Sequence, residues 1–392
     1  MKIKKLAREA EALAVFANLK QDPVLQKFFT LLNTRDLPAL ADFASALYAT
    51  GSADFPAYIK EAVFNDDNCL VKLSAKKQPI PEQIRKAAVR ELNFLEAIAQ
   101  LGAQDFIAEG EVPGWKSGKL ELLDSYGERL GSMDKIGYGP FARYHMFRLI
   151  ETKDGYEIRP VAAPDPIRYD DLIGYEKPRE QVVRNTRALL RGTKAANILL
   201  YGDAGTGKSA TVKATANEYK NQGLRLIELS KNELHLLPDL MDELAANPLK
   251  FILFIDDLSF QENDDDFAAL KAVLEGSASV RAGNTVIYAT SNRRHIVRET
   301  FQAREGDEIH RRDTMQETIS LSERFGLTVY FEKPDAKKYT AIVEGLAAQA
   351  GLDMDPARLK LLAEQFAQRK AGRSARAARQ FVDQLEALEE DN

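Results

Sequence analysis

Residues 202–209 read Gly202-Asp203-Ala204-Gly205-Thr206-Gly207-Lys208-Ser209, a G-x-x-x-x-G-K-S pattern that restricts the fold more than any other stretch of the 392 residues. The short apolar run Asn197-Ile198-Leu199-Leu200-Tyr201 precedes it, and a helical pattern follows. A glycine-rich strand-to-helix turn lets the backbone wrap closely round an anion, because glycine adopts left-handed dihedrals at no Cβ penalty. Several N–H groups and the positive end of the next helix then converge on one point. Residues Gly202 to Ser209, with Ala210 behind them, are therefore expected to cradle a phosphate chain. Lys208 supplies a cation for the β and γ oxygens, and the Ser209 hydroxyl suits the octahedral shell of Mg2+.

From residue 164 onward, short apolar runs alternate with longer helical patterns, which predicts βαβ units and a parallel sheet. Five runs read as strands: 197–201, 224–229, 251–255, 285–289 and 327–331. Each is too evenly apolar for a one-sided strand. Only helix follows, over 336–350, 356–369 and 374–388. The third run ends in Asp256-Asp257, and at the carboxyl edge of such a sheet those carboxylates fall beside the phosphate loop. Asp256 is expected to hold Mg2+ through water and Asp257 to activate the attacking water. The fourth run ends Ala289-Thr290-Ser291-Asn292, where the Asn292 amide is placed to bridge that water and the γ-phosphate.

These motifs together resemble the AAA+ superfamily of ATPases, and residues 169–385 resemble a bacterial family of AAA+ ATP-binding proteins of uncharacterised role. The Asp256-Asp257 pair is similar to that of the replication-initiator and helicase-loader branches. The resemblance implies a five-stranded parallel α/β P-loop sheet with a C-terminal helical lid, ATP as ligand, and Mg2+ as cofactor. It extends to Tyr169-Asp170-Asp171-Leu172-Ile173-Gly174-Tyr175, which looks like the lead-in to the adenine pocket, with Ile173 and Gly174 against the base. Leu321-Ser322-Glu323-Arg324-Phe325-Gly326 precedes the fifth strand, where the family carries its arginine finger. Arg324 would then reach the γ-phosphate of a neighbouring subunit, and the assembly would be a head-to-tail homo-oligomer. In Gly372-Arg373-Ser374-Ala375-Arg376, Ser374 is a helix N-cap, and one arginine senses nucleotide. Arg376 is preferred, although the spacing leaves Arg373 open.

Length and composition suit two or more soluble domains: 45% hydrophobic, 29% charged, net charge −5. Such a balance gives no bulk affinity for nucleic acid. The basic stretch Arg293, Arg294, Arg298, Arg304, Arg311 and Arg312 is offset by Glu299, Glu305, Asp307 and Glu308, so it reads as a solvated loop or as a contact for a protein or nucleic-acid client. His310 has no metal-ligand partner at useful spacing. A single cysteine, Cys69, excludes an internal disulfide, fits a reducing cytoplasm, and is expected as buried packing. No apolar run approaches the roughly 20 residues of a membrane span.

Residues 1–163 are expected to form a mainly helical α+β domain, with apolar spacing at Leu25, Phe28, Phe29 and Leu32 and at Leu92, Leu95 and Ile98. A hairpin is expected round Asp154-Gly155. Pro160, Pro164 and Pro166 place a boundary there, followed by the nucleotide-binding core (164–334) and the lid (335–392). The chemistry therefore points to an ATPase that remodels or loads a client, or to an assembly switch with little turnover. There is no N-K-x-D for guanine, and a lid is superfluous in a small kinase.

Overall fold

A computed structural model describes residues 2–107, 110–258, 270–274, 283–292, 323–370 and 372–390. The acidic run at 264–266, the basic stretch, His310, Leu321 and Ser322 lie outside the described residues. The chain forms two compact units, Met1–Arg143 and Tyr144–Asn392.

The first unit is helical, as the periodicity predicts. Its helices are α1 (Lys2–Glu11), α2 (Pro23–Thr34), α3 (Leu37–Tyr48), α4 (Phe55–Asn65), α5 (Cys69–Ala75), α6 (Glu82–Ala99), α7 (Leu122–Gly131), α8 (Met133–Ile136) and α9 (Pro140–Arg143). Helices α2, α3 and α4 share one start signal. An aspartate (Asp22, Asp36 or Asp54) accepts from backbone N–H groups of the first turn, and a proline stands in that turn. Leu25, Phe28, Phe29 and Leu32 are buried together, and Phe28, Phe43, Phe55 and Trp115 meet ring to ring. Where the chain leaves α1, the buried Glu91 carboxylate accepts from Ala14, Val15 and Phe16 N–H at 3.0–3.1 Å. Contrary to the expectation of buried packing, Cys69 is exposed; as the first residue of α5 it faces away from the apolar stripe formed by Leu70 and Val71.

The second unit is built on one sheet of β1 (Met146–Thr152), β2 (Gly155–Pro160), β3 (Ile198–Gly202), β4 (Leu224–Leu229), β5 (Lys250–Ile255), β6 (Thr285–Ser291) and β7 (Leu327–Phe331), in the order β2-β1-β4-β5-β6-β3-β7. All five predicted runs are strands, and they pair in parallel. Every residue of β5 from Phe251 to Ile255 is buried, as a strand covered on both faces requires.

Among the described residues the sheet has seven strands: the five expected ones and two more, β1 and β2, added at one edge. The hairpin β1–β2 forms round Asp154-Gly155, and β1 then runs parallel to β4, pairing Phe147 with Ile227. The compact units accordingly divide ahead of the hairpin and not at the proline cluster. Phe147 and Leu149 are almost fully buried, and β1 pairs along β4, which would otherwise be an open edge. Pro160 ends β2 on the outer edge, where its missing N–H costs no ladder bond.

Helices α10 (Glu176–Leu190), α11 (Lys208–Tyr219) and α12 (Leu237–Ala245) connect the strands, and α13 (Ala336–Gln349), α14 (Pro356–Arg369) and α15 (Ala375–Glu390) close the unit. The phosphate loop, residues 203–207, joins β3 to α11, and Gly202 lies at the strand end with φ +138°. A Cβ there would stand 2.0 Å from the Phe331 carbonyl oxygen of β7, so only glycine fits. Among the described residues, no helix is long and apolar enough to cross a membrane.

Candidate nucleotide site

The phosphate loop, the strand ends of β5 and β6, the lead-in 167–175 and the lid surround a cleft of about 430 Å3. That volume lies within the range that encloses ligands of nucleotide size.

At its polar end, Lys208 is buried and its Nζ donates to Gly202 O (2.8 Å), Asp203 O (2.9 Å) and Asn292 Oδ1 (3.2 Å). Burial pushes the ammonium below the usual lysine range, while Asp203, Asp256 and Asp257 pull it back. Ser209 Oγ donates to Asp256 Oδ1 at 2.6 Å, and Thr290 Oγ1 donates to the same oxygen at 2.6 Å. Asn292 Nδ2 donates to Asp257 Oδ1 at 2.8 Å. Asp257 is held at φ 52°, a left-handed conformation that aspartate tolerates better than most residues.

A hydroxyl and a carboxylate in contact are hard oxygen donors of the kind Mg2+ takes, and they fit that ion. Among the described residues no group of three or more His, Cys, Asp or Glu could hold a metal. Mg2+ characteristically keeps several waters and takes one or two protein oxygens plus phosphate.

At the other end the cleft is apolar. Ile173 packs onto α13 so closely that a Cβ at Gly345 would meet its Cγ2 at 2.8 Å. Gly174 takes φ +78° beside Ile342. Tyr175, also left-handed, stacks on Phe331 (5.5 Å between centroids) and donates from its hydroxyl to Glu332 O at 2.9 Å. Arg179 fixes the lead-in by donating to Tyr169 O (2.8 Å) and Leu172 O (2.5 Å).

The lid touches both ends. Arg376 N donates to Gly205 O at 3.0 Å, and a Cβ on Gly205 would stand 3.1 Å from that of Arg376. Gln349 and Arg379 donate to the carbonyls of Asp170 and Asp171 at 2.5 and 2.7 Å. Ser374 caps α15 as expected, its Oγ accepting from Ala377 N at 3.1 Å.

Of the residues expected from sequence, Ile173, Gly174, residues 204–210, Asp256, Asp257, Asn292 and Arg376 line the cleft. Gly202 and Asp203 contribute through carbonyls to Lys208. Arg373 is turned away, its guanidinium bound to Glu364 at 2.9–3.0 Å. Arg324 stands half-buried ahead of β7 and is not among the lining residues of its own cleft. Thr290, Arg179 and Arg379 carry parts of the site that the sequence reading did not assign. Thr290 stands within Ala289-Thr290-Ser291-Asn292, but only the pairing of β5 with β6 gives its side chain a task.

Because β6 lies between β3 and β5, Asn292 falls between the Lys208 ammonium and the Asp257 carboxylate. That placement, with the phosphate loop and the lid, defines a P-loop nucleotide-binding fold of the AAA+ type. The chain belongs to the family described as protein of unknown function (DUF815), whose model matches residues 142–389. No curated protein matches it. Among solved structures it is similar to the RuvB Holliday junction branch migration motor of Thermotoga maritima, at 15% identity and a TM-score of 0.40, over 57% of this chain and 65% of that one. It is also similar to the FIGL-1 AAA domain in complex with ADP, at 18% identity and a TM-score of 0.37, over 58% of this chain and 75% of that one. The chain thus spans just under two thirds of the RuvB chain.

Proposed function

We propose that this protein binds Mg-ATP and hydrolyses it to ADP and phosphate, working as a head-to-tail homo-oligomer that remodels or loads a protein or nucleic-acid client. The observation that carries the reading is one hydrogen-bonded network joining Lys208, Asn292 and Asp257, next to the Ser209–Asp256 pair. The backbone of residues 204–207 and the start of α11 bind the phosphates, with Lys208 on the β and γ oxygens. Magnesium, when bound at Ser209 and Asp256, neutralises charge on those oxygens. Asp257 takes a proton from the attacking water as the bond to the leaving ADP oxygen breaks, and Asn292 orients that water against the γ-phosphate. Ile173 and Gly174 hold the adenine, Arg376 follows the phosphates from the lid, and Arg324 adds positive charge from the neighbouring subunit.

Steady-state phosphate release tests this reading. Wild type is expected to exceed the Lys208→Ala background, and Asp257→Asn to fall to it while still binding ATP. A wild type indistinguishable from Lys208→Ala in release, yet binding ATP, supports instead an assembly switch with little turnover. One observation favours that second reading: the Asp257 carboxylate, a methylene shorter than a glutamate, is already engaged by Asn292. Asp257→Asn loaded with ATP is also the form in which to capture the client, whose absence in either nucleotide state would count against remodelling.

A further inference from the structure

The two carboxylates at the end of β5 are not held by β5 alone. Thr290, on β6 and 2% exposed, grips three consecutive residues of the neighbouring strand end. Its hydroxyl donates to Asp256 Oδ1 (2.6 Å), the same oxygen accepts from Asp257 N (2.9 Å), and its carbonyl accepts from Leu258 N (2.7 Å). A hydroxyl has one proton to give and lone pairs to receive, so donating to one residue and accepting from the next uses both capacities at once. The bond to Asp257 N falls where regular pairing has ended and the backbone has turned left-handed, at φ 52°. Without it, that N–H would lose its β6 partner, and only the Leu258 N–H would still tie the backbone of this turn to β6.

We propose that Thr290 is the positioning residue of this site, orienting the Asp256 carboxylate toward the Ser209 hydroxyl and locking Asp257 in the left-handed conformation from which its carboxylate meets Asn292. The assignment rests on the Mg-ATP reading above. It accounts for an aspartate at position 257: the short carboxylate reaches Asn292 Nδ2 at 2.8 Å from a backbone that Thr290 has turned. Asp256 Oδ1 receives two hydroxyl donors at 2.6 Å, so its orientation is fixed from both β6 and α11. Groups that orient metal-binding residues in this way are worth about 10- to 100-fold in metal affinity or activity.

The test compares Thr290→Val, which keeps the shape and loses the hydroxyl, with Thr290→Ser, which keeps the hydroxyl. ATP binding is measured by calorimetry with magnesium and with EDTA, alongside phosphate release. Thr290→Val is expected to lose about 10- to 100-fold of the magnesium-dependent gain in affinity and a similar factor in turnover. Its affinity in EDTA stays at the wild-type level, and Thr290→Ser restores both lost quantities. Wild-type magnesium dependence in Thr290→Val, or a Thr290→Ser as impaired as an unfolded or inactive Thr290→Val, overturns the assignment. A wild type that binds Mg-ATP without turnover removes the hydrolysis reading and leaves this one to the calorimetric comparison. A wild type that binds no ATP removes both.

Discussion

Asn292 is shared between Lys208 and Asp257: its Oδ1 accepts from the ammonium at 3.2 Å while its Nδ2 donates to the carboxylate at 2.8 Å. One neutral side chain therefore keeps a cation and an anion apart at the edge of the sheet and reads both. Its removal is expected to lower turnover about 100-fold, the scale of deleting one oriented donor, while ATP affinity changes little. Single-turnover and binding measurements on Asn292→Ala check this. A parallel loss of affinity would make the residue a binding group instead.

Lys208 makes its contacts to carbonyls and an amide, none of which competes strongly with a phosphate chain. Lys208→Ala is expected to weaken ATP binding by about 1.5–3 kcal/mol, or about 10- to 150-fold, the worth of a hydrogen bond to a charged group. Isothermal calorimetry reads the change directly, and unaltered affinity would remove the phosphate-loop assignment.

Arg324 is expected to act in trans. Neither Arg324→Ala nor Lys208→Ala alone should hydrolyse ATP, whereas their mixture should regain part of the activity, since a mixed interface can pair an intact loop with an intact arginine. A mixture no more active than the separate variants argues against a shared site.

Gly202→Ala places a Cβ against the Phe331 carbonyl oxygen and demands φ +138° of an alanine. A loss of about 3 kcal/mol or more is expected in denaturant unfolding, as for overpacking against backbone that cannot move. Near wild-type stability would mean that β7 can shift.

His145 gives the second unit an acid-sensitive point. Asn217 Nδ2 donates to Asp165 O and Ile167 O, both at 2.8 Å, so its Oδ1 faces His145 and Nε2 at 2.8 Å is the protonated nitrogen. Burial, helped by Lys220 and Arg225, pushes this imidazole below its ordinary value. The unfolded chain therefore takes up a proton near about pH 6.5 that the native ring still refuses. The stability contributed by the neutral ring is complete above that pH and is lost as pH falls through the lowered native pKa. Unfolding midpoints at about pH 7.5 and about pH 5.5 should diverge less in His145→Gln than in wild type.

The phosphate loop, the five core strands and the three lid helices are legible in the sequence because each is a local signal. Apolar runs of strand length report burial on both faces, and a loop of fixed glycine spacing reports a backbone path that other residues cannot take. Capping residues such as Asp22 and Ser374 act within a few residues and are equally readable. What only tertiary structure decided depends on chain segments far apart in sequence. The β1–β2 hairpin belongs with the sheet because Met146 to Arg148 pair in parallel with β4, a partner about 80 residues away that no local pattern encodes. That Arg376 and not Arg373 lines the cleft follows from Glu364, on another helix, binding the Arg373 guanidinium. Thr290 gains its role only when β6 lies beside β5, since a hydroxyl has no assigned partner until the sheet order supplies one.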